Sequence, residues 1–188
     1  MSVAAFLDAS VLYPATLRSV LMYLADAEAF RALWSDAVNE EWTAALARNR
    51  PDLSASVIAR VRALMEAHVE HAIVSGYEYL IPSLTLPDAD DRHVLAAAIH
   101  GGASVIVTAN VKDFPADALA PYKVVAQEPD GFICGLLLAN PDSAVAGFAA
   151  DRARLRNPAM NPDEYLASLR RVDLTETAAA LEAFADRL

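Results

Sequence analysis

The chain has 188 residues, of which 55% are hydrophobic and 21% charged, so it holds enough apolar material for one folded domain and is not disordered. Its longest uninterrupted apolar stretch, residues 132–139, is too short to cross a bilayer, and its N-terminus lacks the basic segment of a signal peptide. The single cysteine, Cys134, excludes a disulfide scaffold and a cysteine-based zinc cluster, and together these absences predict a cytoplasmic protein with no membrane partner.

The balance of charge is acidic, with 25 acidic and 15 basic side chains and a formal net charge of −10. A protein that binds nucleic acid through phosphate contacts alone is expected to be basic. Either nucleic acid is not the ligand, or part of the acidity is a metal site whose cation inverts the local charge. The positions of the acidic residues separate these two cases.

Strand and helix signals alternate along the first 139 residues. Short apolar runs predict strands at residues 3–7, 33–35, 79–81, 103–107 and 123–126. Helical spacing of apolar residues predicts helices after Ser10, after Ser35 or Asp36, after the break at 51–54, over 90–100 with Asp88 as its cap, and after the cap Asp130. This alternation predicts an α/β fold, with a parallel sheet between helices and a ligand site at the carboxyl ends of the strands.

A break at Asn140–Pro141 divides the chain into a predicted core domain at 1–139 and a helical C-terminal extension at 140–188. The extension has signals for two or three short helices and none for a strand. No such helix is long enough to be stable alone in water, so each has to dock on the core or on its neighbours.

Acidic residues cluster at one edge of the predicted sheet. Asp8 ends the first strand, where a buried carboxylate needs partners or a metal. Asp88 and Asp91 share a face of the helix that leads into the fourth strand, although a capping and dipole role alone would also explain them. Glu40 and Glu41 lie in the middle of a helix, where a solvated pair is the ordinary interpretation.

Taken together, three or four carboxylates from distant segments converge on this edge. Such a cluster can hold hard divalent cations, Mg²⁺ or Mn²⁺, through oxygen ligands and water. The chemistry that follows is hydrolysis of a phosphodiester by metal-activated water.

Four segments, in this order and spacing, resemble the PIN-domain ribonucleases and, among them, the VapC-type toxins of bacterial toxin–antitoxin pairs. The segments are FLDASVL at 6–12, WSDAVNEEW at 34–42, PDADDRHVLAAA at 87–98 and VIVTANVKDFP at 105–115. The resemblance implies a three-layer α/β/α sandwich with a central parallel sheet and an endoribonuclease site that depends on Mg²⁺ or Mn²⁺. It also implies RNA as the substrate and a cognate antitoxin as the partner, and it leaves a homodimer open.

The resemblance further implies roles for individual residues. The implied metal ligands are Asp8, Glu41, Asp88, Asp91 and Asp113, and the implied catalytic residues are Asp8, Glu41, Asp91 and Asn110. Glu40 is the alternative to Glu41 as the second acid. Asn110 occupies the fourth acidic position, where it can orient a water or donate to a phosphate but carries no charge. Asp113, three residues on, is a candidate for part of that role.

Other polar residues are candidates for contact with the substrate. They are Ser10, Arg18, Thr108, Arg152, Arg154 and Arg156. The two hydroxyl groups can position a carboxylate, a water or a phosphate, and the arginines can meet RNA phosphates or belong to solvated helix faces. His93 lies just inside the acidic helix, where metal-activated water reduces the need for a protein base.

Two other enzyme classes do not fit the sequence. A haloacid-type phosphatase needs a second Asp two residues after the nucleophile, where Ser10 stands. A receiver domain needs an acid pair before the phosphorylated Asp, and residues 3–7 supply no acid. The remaining alternative is a PIN-fold module that binds RNA or protein with weakened catalysis, for which Asn110 is the only indication.

Overall fold

A five-stranded parallel sheet runs through the computed structural model, which describes residues 2–156 and 158–188. Its strands are β1 (Ala4–Leu7), β2 (Arg31–Ser35), β3 (Ile73–Val74), β4 (Val105–Val107) and β5 (Val125–Gln127). They lie in the order β3-β2-β1-β4-β5, and Ala5 of the central strand is in register with both Ala32 and Val105. The residue after β1, Asp8, therefore leaves the sheet at the middle of its carboxyl edge.

The strand predicted at residues 79–81 is wrong, whereas the other four predicted strands are present. Residues 79–81 lie in a 3₁₀ helix, Glu78–Ser83, in which Tyr79 is exposed and Pro82 has no N–H for a sheet. The third strand is instead β3, which pairs with the end of β2. Alternation of apolar and polar residues cannot identify a strand of two residues, because no period exists at that length.

Helices cover the sheet on both faces, which confirms the three-layer α/β/α architecture. The core helices are α1 (Ala9–Leu12), α2 (Ala15–Asp26), α3 (Asp36–Asn49), α4 (Ala55–His68), α5 (Arg92–Gly101), α6 (Ala116–Leu119) and α7 (Pro129–Ala139), with 3₁₀ turns at Val111–Asp113 and Ala120–Tyr122. Ser35 caps α3 by accepting the N–H of Val38, one of the two predicted caps. Asp88 does not cap α5, because its carboxylate accepts the N–H of Asp90 and the helix begins only at Arg92.

The C-terminal extension packs directly on the sheet domain. It comprises α8 (Pro141–Arg154), α9 (Pro162–Arg170), α10 (Thr175–Leu181) and a 3₁₀ helix (Glu182–Arg187). Phe148 and Leu181 belong to the same buried hydrophobic cluster as Phe6 of β1. The turn from α7 to α8 lies at Asn140, and residues on both sides of it contribute to one core, so the division into domains at 1–139 and 140–188 stays a prediction. No helix of the described ranges is long and apolar enough to cross a membrane.

Two carboxylates, the buried Asp151 and the partly exposed Asp130, tie the extension to the core. Asp151 of α8 is 1% exposed and accepts hydrogen bonds from the hydroxyls of Ser19 at 2.5 Å and Tyr165 at 2.7 Å. The prediction that Asp130 caps its own helix, α7, is wrong. The Asp130 carboxylate instead accepts the N–H groups of Glu176 and Thr177, each at 2.8 Å, and so caps α10.

Candidate active site

Asp8 is held at the carboxyl end of β1 by two hydroxyl groups. Its side chain is nearly buried, and Oδ2 accepts hydrogen bonds from Ser10 Oγ at 2.6 Å and from Thr108 Oγ1 at 2.8 Å. Thr108 directly follows β4, and the N–H of Asp8 donates to the carbonyl of Val107. The pairing of two adjacent parallel strands therefore brings a carboxylate and a hydroxyl from distant parts of the chain into contact.

The hydroxyl protons of Ser10 and Thr108 are both engaged by Asp8. Their oxygens in turn accept backbone N–H groups, that of Ala109 for Ser10 and that of Asn110 for Thr108, each at 3.0 Å. Of the predicted roles, the geometry favours positioning of a carboxylate over donation to a phosphate. Asn110 itself is exposed at the same edge of the sheet.

Four carboxylates at this edge form what we call the acidic rim, namely Asp8, Asp88, Asp91 and Asp113. Partial burial of Asp91, reinforced by the negative charges of the other three, raises its pKa to about 6. Carboxylates affect one another in this way only at short range, so three separate segments of the chain bring their acids together here. A bound cation would relieve the repulsion between them.

Glu41 joins this region through His93. Oε1 of Glu41 lies 2.7 Å from Nε2 of His93, which follows Asp91 by two residues on α5. Burial by itself lowers the pKa of His93, but the hydrogen bond and charge of Glu41, with the charges of Asp8 and Asp91, outweigh burial and raise that pKa. The sequence indicated little for His93, and its position beside the acidic run was the one available signal.

The two candidates for the second acid face different surroundings. Glu41 lines a groove that also contains Ser10, the residue that holds Asp8. Glu40 lines another cavity, together with His93. Glu41 is therefore the one of the two that shares a groove with the residue that positions Asp8.

The predicted metal ligands are near one another without forming a finished site. Within residues 2–156 and 158–188, no three His, Cys, Asp or Glu side chains are arranged to hold a metal ion, and the predicted set of five ligands stays a prediction. Glu41 is turned to His93, and unscreened carboxylates repel each other. The donors nevertheless suit a hard divalent cation, because all of them are carboxylate oxygens and the charged form of Asp91 is already disfavoured.

Arg18 has an internal role in the fold, and its predicted contact with substrate stays a prediction. Its guanidinium donates to the carbonyl oxygens of Leu12 at 2.5 Å and Tyr13 at 3.2 Å, and it lies 4.8 Å from the centre of the Trp42 ring. Burial lowers the pKa of Arg18. Carbonyl groups at the end of a helix need donors, and Arg18 supplies them to α1.

The arginines of the extension are likewise engaged in part by the fold. Arg152 donates to the carbonyl oxygens of Met160 at 2.6 Å and Leu188 at 2.9 Å, and its predicted contact with substrate stays a prediction. Arg154 pairs with the buried Asp151 at 2.8 Å. Arg156 is exposed, so its predicted contact with RNA or a partner stays a prediction.

Comparison with known proteins agrees with this geometry. The model of the PIN domain family matches residues 4–112, more than half of the chain, so the protein belongs to the PIN-domain family and the predicted membership is confirmed. A second model, that of the VapC50 C-terminal domain, matches residues 129–183, which include most of the extension.

One relative is similar in sequence, and its name describes a ribonuclease. It is a protein of Mycobacterium tuberculosis named "Putative ribonuclease VapC50", and it is 50% identical over 62 residues. These residues make up 33% of this chain and 36% of the relative, so the match spans about a third of the relative's length. No solved structure matches this chain.

Proposed function

We propose that this protein is a metal-dependent endoribonuclease that acts as the toxin of a toxin–antitoxin pair and hydrolyses RNA phosphodiester bonds. The observation that carries the proposal is the acidic rim at the carboxyl edge of a PIN-family sheet, with Asp8 fixed by two hydroxyl groups. The name of the mycobacterial relative, which describes a ribonuclease, supports the same activity.

Asp8, Asp91 and Glu41 are the residues that would hold the cation, Mg²⁺ or Mn²⁺, directly or through water. A cation bound there would lower the pKa of a coordinated water and balance charge on the phosphate. Ser10 and Thr108 keep the Asp8 carboxylate in one orientation, and His93 keeps Glu41 close to the rim. Asp88 and Asp113 add negative potential, and each could hold a water of the cation.

Cleavage of a labelled single-stranded RNA tests this proposal. Wild-type protein should cleave the RNA with Mg²⁺ or Mn²⁺ and not with EDTA, and Asp8→Asn should abolish cleavage while the fold stays intact. Asp90→Asn is the matched control, because Asp90 is exposed and lies next to Asp91 but outside the acidic rim. Full activity of Asp8→Asn, or equal loss in the control, would contradict the assignment of the site.

The alternative is a PIN-fold module with weakened catalysis that still binds RNA or protein, which the uncharged Asn110 at the fourth acidic position favours. Wild-type protein that binds the RNA but does not cleave it with either cation would support this alternative. Restoration of cleavage by Asn110→Asp would then identify the missing carboxylate as the cause.

We further propose that an antitoxin covers the acidic rim with an arginine or lysine and packs an amphipathic segment on α4. Carboxylates that lack a counter-charge accept such a side chain. Val57 and Leu64 of α4 are 45% and 60% exposed, so α4 offers an apolar surface to a partner. Leu64→Ser should leave cleavage unchanged and weaken neutralisation, whereas Leu138→Ser, in the exposed part of α7, should change neither.

Co-expression with the product of the neighbouring gene tests the partnership itself. A complex that suppresses toxicity supports it, and unchanged toxicity without a complex contradicts it. Light scattering of the free protein decides whether it is also a homodimer.

A further inference from the structure

A groove leads away from the candidate active site between α1 and α3. It has a volume of about 480 Å³, and we call it the α1–α3 groove. Its walls include Ser10, Tyr13, Glu41, Ala45, Arg48 and Asn49. Ser10 and Glu41 belong to the site described above, so the groove begins where the proposed reaction takes place.

The side chains along α3 give the two ends of the groove opposite charges. Glu41 and Arg48 are seven residues apart, which places them on one helix face about 10 Å from each other. Ala45 lies between them and leaves the floor of the groove small and apolar. The groove is therefore an apolar slot with a carboxylate at one end and a guanidinium at the other.

Arg48 is exposed, and among the described residues it forms no ion pair with an acid. The arginines nearby differ from it, since Arg50 pairs with Asp52 at 2.6 Å and Arg62 with Asp36 at 2.6 Å. Arg48 lies in the last turn of α3, where the helix dipole already favours a positive charge. At Arg48 the cation also faces the groove, where it is available to an anion.

Tyr13 supplies an aromatic ring on the opposite wall. Its ring is partly exposed, and Asn49 donates to its hydroxyl at 3.3 Å, which links the two walls. Aromatic rings of this kind are the platforms on which unpaired bases stack, without need of a particular base sequence.

We propose that the α1–α3 groove binds the nucleotide next to the scissile phosphate of a single-stranded RNA. The base stacks on the ring of Tyr13, and the following phosphate pairs with Arg48. This inference rests on the proposed ribonuclease function, because it is that function which brings a phosphate to the Ser10 and Glu41 end. A basic peptide that complements the acidic rim would meet repulsion from Arg48, so charge favours RNA as the occupant.

Binding of two strands of equal length separates the roles of the two residues. The probes are a labelled 12-nucleotide single-stranded RNA and a ribose-phosphate strand of the same length without bases, both measured by fluorescence anisotropy. The protein is the full chain with Asp8→Asn, in which no cleavage is expected. Melting temperatures of all variants show which of them are folded.

Tyr13→Leu should weaken binding of the RNA about tenfold or more and leave binding of the base-free strand unchanged. Tyr13→Phe keeps the ring and should bind both strands as before. Arg48→Gln should weaken binding of both strands and reduce the slope of log K against log salt by about 0.7, the value for one phosphate contact on a single strand. Arg50→Gln is the control, because Arg50 is already paired with Asp52.

Unchanged RNA binding by both Tyr13→Leu and Arg48→Gln would overturn the inference. The inference would also be overturned if these variants weakened binding of the antitoxin and left binding of RNA unchanged. The groove would then be a protein-binding surface. If Tyr13→Leu does not fold, Arg48→Gln and its salt slope decide alone. The proposed function is tested separately by cleavage in the wild-type chain, so a protein that cleaves RNA but shows no effect of these variants refutes the groove and not the nuclease.

Discussion

Gly147 lies where α8 of the extension crosses α2 of the core. A Cβ at this position would lie 2.9 Å from the carbonyl oxygen of Tyr23 and 3.0 Å from the Cα of Leu24. Both are backbone atoms, so neither can rotate away as a side chain would. Gly147→Ala therefore has to push the two helices apart and loosen the packing between the extension and the core.

The size of the effect follows from two opposing contributions. Alanine in a helix interior is about 1 kcal/mol more favourable than glycine, whereas overpacking costs typically about 1–3 kcal/mol. Because the crossing also carries the buried Asp151 network, the overpacking contribution should prevail. The difference between the two contributions predicts that the free energy of unfolding falls by up to about 2 kcal/mol, and the melting temperature by up to about 8 °C for a chain of this size.

Gly135→Ala is the matched control. Gly135 lies in the interior of α7, and a Cβ there would meet nothing within 4 Å, so only the helix contribution remains. This variant should be about 1 kcal/mol more stable than the wild type. Thermal and urea unfolding followed by circular dichroism compare the three proteins. A Gly147→Ala protein as stable as the Gly135→Ala protein would refute the close crossing and, with it, the view that the extension is part of one core.

Three other outcomes are expected. Because the pKa of Asp91 is raised to about 6, its charged form destabilises the metal-free fold above that pH. Asp91→Asn should therefore be about 1 kcal/mol more stable than the wild type at pH 8, after allowance for solvent screening. This gain in stability should vanish below pH 4. A gain that does not depend on pH in urea titrations would contradict this origin. Millimolar Mg²⁺ or Mn²⁺ should raise the melting temperature of the wild type, because a cation that binds only the folded state stabilises it. The melting temperature of Asp8→Asn should rise less. Equal shifts in the two proteins would place the cation elsewhere. A chain that ends at Ala139 should lose cooperative unfolding in calorimetry, because it exposes the faces of α2 and α7 that the extension covers, and a sharp transition would show that 1–139 folds alone.

The α/β architecture and the edge of the sheet that carries the candidate site could be predicted from the sequence. Short apolar runs separated by amphipathic helices specify a parallel sheet, because each pattern reports how its own segment is buried. Asp8 and Thr108 each directly follow such a run, so their meeting at the carboxyl edge follows from the pairing of neighbouring strands. The cap at Ser35 was predictable because the cap and the helix it begins are adjacent in the sequence.

The hydrogen-bond partners of these polar groups could not be predicted, because they depend on how distant elements pack. The contact of Glu41 with His93 joins α3 to α5, and Asp130 caps a helix that begins 45 residues later in the chain. Arg18 and Arg152 carry guanidinium groups, which can bind phosphate. In the structure these groups donate to backbone carbonyl oxygens. Local periodicity carries information on the burial of one element, whereas a hydrogen bond between distant segments depends on how whole elements pack, and that packing is set by the shared hydrophobic core.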